Sequence, residues 1–69
     1  MDKTTQELIK IALSASYKCR DCLKYHILEA LKNGVTDIEI QDAIFCGAII
    51  GGPPFLSFAF DVLDELRII

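Results

Sequence analysis

The sequence predicts a small all-α fold: one domain of four helices over residues 1–69 that assembles with copies of itself. Three observations lead there. Apolar residues recur at three- and four-residue spacing along the whole chain, without the alternation of strands. Helix punctuation is dense, with "TTQE" and "TDIE" as starts, Asn33-Gly34 as a stop and "GGPP" as a break. And 52% of the 69 residues are hydrophobic, more than so short a chain can hide alone.

The first helix opens at "TTQE", where Thr4 and Glu7 have the spacing of a capping box. Leu8, Ile9, Ile11, Ala12, Leu13 and Ala15 give it a wide apolar face, and Glu7, Lys10 and Ser14 share a polar stripe. "SAS" at residues 14–16 weakens the helix and marks its end. The second helix is expected from Ser16 or Tyr17 to about Lys32, with Leu23, Ile27, Ala30 and Leu31 inward and Asn33-Gly34 closing it.

The third helix starts at "TDIE", where Thr36 and Glu39 form a second capping-box pattern. After Asp42 it has no polar face, so it should be buried all round, partly by other subunits, with Cys46 as a core residue. The fourth follows Pro53-Pro54, since proline suits a first helical turn. Phe55, Phe58, Ala59, Val62, Leu63, Leu66 and Ile69 line its apolar side. Ala43 to Phe60 is uncharged for eighteen residues, close to a bilayer span, but Gly51 to Pro54 cuts it in the middle. Two helices around a turn explain the run better, and no membrane association is expected.

The net charge is -3 and there is no basic stripe, which argues against nucleic acid and anionic membrane as partners. Three cysteines, two of them three apart, do not suit a secreted disulfide framework. "MDKTTQELIK" has no signal-peptide apolar run. A cytoplasmic protein with thiols reduced at rest is the expectation.

Chemistry concentrates in "CRDCLKYH", which holds Cys19, Cys22 and the only histidine, His26. At about 100° per residue the three fall on one helical stripe. A Cys-x-x-Cys pair can close a disulfide within one turn, and a helix start stabilises a thiolate. His26, one turn after Cys22, can take its proton. The same residues could instead be small core residues, or part of a zinc site. Zinc lacks a second ligand pair here, and the shared stripe favours thiol redox chemistry. Tyr17 and Tyr25 border the cluster and are expected to pack.

The pattern E-x11-C-x2-C-x3-H, met by Glu7, Cys19, Cys22 and His26, resembles the alkylhydroperoxidase D-like branch of the carboxymuconolactone decarboxylase family. The Asn33-Gly34 stop, the T-x-x-E restart and the Gly-Gly-Pro break also sit where that family has such features. The resemblance implies a helical fold that forms trimers or hexamers. It implies a thiol-dependent peroxidase or disulfide reductase working without metal or flavin, on hydrogen or organic peroxide. It further implies that Cys22 is the base-assisted thiol, Cys19 its disulfide partner, His26 the base and Glu7 the residue that orients the base. A dithiol donor, such as a lipoyl domain or a thioredoxin-like protein, would restore the thiols. Read without the family, Glu7 is a solvated helix cap that can pair with Lys10. The competing functional reading is a non-catalytic helical assembly or binding module on the same scaffold.

Overall fold

The computed structural model describes residues 1–68. They form three helices and, among the described residues, no strands: α1 (Lys3–Ser16), α2 (Arg20–Lys32) and α3 (Asp37–Glu65). Where four helices were expected, the residues of the third and fourth are joined in α3. The expected break is a single non-helical residue within it, Gly52, at φ 71° and ψ -165°. Glycine suits that position because a Cβ disfavours positive φ. Pro53 and Pro54 follow it, so the chain resumes as helix with prolines in its first turn.

The three starts differ in how they are capped. Asp2, not the Thr4–Glu7 pair, caps α1, with its carboxylate accepting from Thr5 N–H at 2.8 Å. Thr4 donates its hydroxyl to the same carboxylate, and Glu7 points elsewhere. The first expected capping box is therefore absent. The second is present in full: Thr36 Oγ1 accepts from Glu39 N–H and Glu39 accepts from Thr36 N–H.

Helix α2 begins later than expected, at Arg20, because Cys19 is its N-cap rather than a residue of its stripe. The reason lies in how α1 ends. Cys19 N–H donates to Ser14 O and Lys18 N–H to Ala15 O, both at 3.1 Å. With Lys18 at φ 55° these bonds make a Schellman closure, a role usually taken by glycine. Two more follow the same pattern: Val35 N–H to Ala30 O after Gly34, and Ile68 N–H to Leu63 O after Arg67 at φ 59°.

The core comprises Ile11 and Ala15 of α1, Leu23, Ile27 and Ala30 of α2, and Ile40, Ile44, Phe55, Ala59, Val62 and Leu63 of α3, with Val35 between helices. Helix α1 packs against both others, while α2 meets α3 over a smaller contact. That contact is reinforced by ion pairs from Arg20 to Asp61 and Glu65, and from Lys24 to Glu65. Phe55 lies back over the turns before the break, where a Cβ on Gly51 would meet its ring at 2.8 Å and one on Gly47 would clash with it too. Ile69, expected on the inner face, lies outside the described residues.

The outer face of α3 is uncovered within one chain. Phe45, Cys46, Ile49 and Ile50 are exposed, Ile49 by 84% and Ile50 by 91%. Cys46 is thus not a core residue: two positions from buried Ile44, it points to the opposite side of the helix. By length and composition α3 could cross a bilayer. Its inner face, though, is built into the core on both sides of Gly52.

Candidate active site

The site forms where the end of α1 meets the start of α2. The closure that ends α1 delivers Cys19 as the N-cap of α2, and its Sγ accepts from Cys22 N–H at 3.2 Å. Cys19 is half-buried, Cys22 is exposed, and their Cα atoms stand 5.3 Å apart. The two sulfurs are joined as a disulfide. One turn beyond Cys22 comes half-buried His26, with the ring of Tyr25 edge-on to it at 5.2 Å between centroids.

Glu7 reaches this cluster from α1. It is only 5% exposed, and its Oε1 lies 3.2 Å from His26 Nδ1. With the proton on Nδ1, His26 donates to the carboxylate and its Nε2 is left as the basic nitrogen. The second oxygen, Oε2, lies 3.4 Å from Lys10 Nζ. Burial acts strongly on the Glu7 carboxyl and pushes its pKa up. The hydrogen bond with His26, then the hydrogen bond with Lys10 and both positive charges, outweigh this and hold it below the ordinary 4.5. Glu7 is accordingly an ionised, partnered carboxylate in the interior, not a solvated cap.

A cavity of about 320 Å³ opens over these groups. Cys19, Cys22 and His26 line it from one side, Lys10, Leu13 and Ser14 from α1. Lys10 and Ser14 of the polar stripe are therefore part of the wall of the site, and Glu7 lies buried beside His26. The spacing i, i+3, i+7 had put the three on one face. Sequence alone left open which way that face pointed, and so missed Lys10 and Ser14 as site residues. Tyr17 and Tyr25, expected to pack, are both exposed, Tyr17 at the rim of the cavity.

A buried carboxylate that orients an imidazole beside a Cys-x-x-Cys pair can do specific chemistry. The imidazole can accept a thiol proton, and the helix N-terminus can stabilise a thiolate once the disulfide opens. The comparisons agree with this architecture. The family described as "Carboxymuconolactone decarboxylase family" matches residues 1–65, and the chain belongs to that family. It is 42% identical over 50 residues to the alkyl hydroperoxide reductase AhpD of Hyphomonas neptunium (strain ATCC 15444), over 72% of this chain and 28% of that protein. It is 32% identical over 69 residues to "Uncharacterized protein 4 in cox locus" of Paracoccus denitrificans, over 96% of this chain and 62% of that protein. The chain thus spans about three-fifths of the length of one curated relative and just over a quarter of the other. No solved structure matches it.

Proposed function

We propose that the protein is a thiol-dependent peroxidase that cycles Cys19 and Cys22 between dithiol and disulfide. The observation that carries this reading is His26, held from behind by the buried Glu7 carboxylate, opening on the same cavity as the two sulfurs.

In the reduced protein His26 takes the proton of Cys22, and the thiolate attacks the terminal oxygen of a hydroperoxide. The O–O bond breaks, the alcohol or water leaves with the proton, and Cys22 becomes a sulfenic acid. Cys19, whose thiolate is favoured by the Cys22 N–H and the N-terminus of α2, attacks that sulfur and expels water. The net change is one peroxide and two thiols to one alcohol, one water and one disulfide. A dithiol donor, a lipoyl or thioredoxin-like protein in the cytoplasm, returns the two electrons by thiol–disulfide exchange. Glu7 keeps the imidazole in the tautomer this requires.

The active form is proposed to be a homo-oligomer, a trimer or hexamer, in which the outer face of α3 is covered. The exposure of Phe45, Ile49 and Ile50 supports that part of the reading, since a soluble monomer rarely keeps such a contiguous apolar patch. Sedimentation showing a stable monomer at micromolar concentration contradicts it.

Thiol counting with Cys22→Ser and His26→Ala tests the chemistry. Wild type should lose two titratable thiols after mild peroxide and regain them with a dithiol reductant. Cys22→Ser should consume no peroxide, and His26→Ala should consume it on the order of 10²-fold more slowly. Full activity in both variants excludes the mechanism. Slow oxidation no faster at the pair than at Cys46 favours the non-catalytic scaffold instead.

A further inference from the structure

We propose that Lys10 is a positioning residue of this site: its ammonium holds one oxygen of Glu7, so that the other stays aimed at His26. This rests on the reading of Cys19–Cys22 as a thiol redox centre assisted by His26.

An i, i+3 Glu–Lys pair on a helix is ordinarily a surface contact worth little. This one differs in where the carboxylate sits. The Glu7 side chain is 6% exposed while that of Lys10 is 48% exposed, so the ammonium approaches an interior anion from the rim. Each carboxylate oxygen has one partner: Oε1 faces His26 Nδ1 at 3.2 Å and Oε2 faces Lys10 Nζ at 3.4 Å. The charged groups on Glu7 are thus Lys10 from its own helix and His26 from α2. Among the described residues, no charged group of α3 comes within ion-pair reach. Lys10 also lines the cavity into which Cys19, Cys22 and His26 open.

The arrangement gives the lysine a definite task. A buried carboxylate with a single partner tends to neutralise by taking a proton, because burial disfavours its charge. A protonated Glu7 would compete as a donor and release His26 from the Nδ1–H tautomer that leaves Nε2 as the base. Lys10 keeps the carboxylate charged from the side away from the imidazole, and does so without blocking the cavity. It touches neither thiol in this account and acts through Glu7.

The test compares Lys10→Met, Lys10→Arg and, as a charge-matched control at the far end of α2, Lys32→Met, all in the full chain. Two readouts are taken: the Glu7 carboxyl midpoint by carbon NMR, and the pH dependence of alkylation of the reduced pair by iodoacetamide. Lys10→Met should raise the Glu7 midpoint by about half a unit to one unit, given one partly screened charge. It should move the acid limb of alkylation the same way, about a threefold to tenfold loss of rate on that limb. Lys10→Arg should restore both, and Lys32→Met should change neither. An unmoved midpoint in Lys10→Met, an Arg variant that behaves like Met, or an equal shift from Lys32→Met overturns the proposal. If the wild-type pair alkylates like ordinary free thiols, the peroxidase reading fails; the carboxyl midpoint still decides whether Lys10 governs Glu7.

Discussion

Two stretches of this chain carry the same local pattern, Thr-x-x-Glu, and meet different fates. At Thr36–Glu39 the pattern closes into a full capping box at the start of α3. At Thr4–Glu7 it does not: Asp2 caps α1, and Glu7 turns inward to His26, nineteen positions away. The difference teaches that a capping signal states what a glutamate can do locally, not what it does. Glu39 is exposed and has no better partner than the backbone beside it. Glu7 has an imidazole and an ammonium within reach, and Asp2 has already taken the cap.

The comparison can be broken at several points. The largest effect is expected in catalysis. On the proposed mechanism, Glu7→Gln should lower peroxide consumption on the order of 10²-fold, since it removes the carboxylate beside His26, while Glu39→Gln should leave it unchanged. Steady-state assays with a dithiol donor decide this, and equal losses in both variants would remove the distinction drawn between the two glutamates. Next comes stability. Thr36→Ala should cost about 1 kcal/mol by losing a working cap. Thr4→Ala should stay within about 0.5 kcal/mol by urea denaturation, because Asp2 caps without it.

The smallest effect is on acid stability. The Glu7 carboxyl titrates below its ordinary 4.5 in the folded protein, so the folded state binds its proton less readily than the unfolded chain does. Its contribution is fully present above 4.5 and is lost as pH falls through the folded value. Denaturation midpoints followed from pH 6 to pH 3, about the range that brackets this titration, should fall less steeply in Glu7→Gln than in wild type. Parallel curves would mean that the carboxylate gains nothing from its partners.

Much of the fold was legible because its signals are local. The inward stripe of α2, the Gly34 stop, the Thr36 cap and the interruption before Pro53 each depend on residues within a turn or two. The start of α2 lies later than the sequence suggests because Lys18 adopts a left-handed conformation that sequence assigns to glycine. The division expected at Gly-Gly-Pro-Pro falls at a single residue, Gly52, where the helical backbone is broken and the two stretches of α3 meet at a kink. In the site, Cys19, Cys22 and His26 could be grouped from spacing alone. Lys10 and Ser14 could not, because a polar stripe looks the same whether it faces water or a cavity.

By itself the sequence determined that this protein is helical, that its two close cysteines and its histidine share one end of a helix, and that it has more apolar surface than one small core absorbs. These follow from periodicity, spacing and composition, which act over short range. Only the tertiary structure decided that Glu7 is buried against His26, that Cys19 caps α2 while closing α1, and that Phe45, Cys46, Ile49 and Ile50 face outward. The first and last depend on how the helices are set against one another, which a helix's own residues do not encode, and the Cys19 cap depends on Lys18 taking a left-handed conformation that its residue type disfavours.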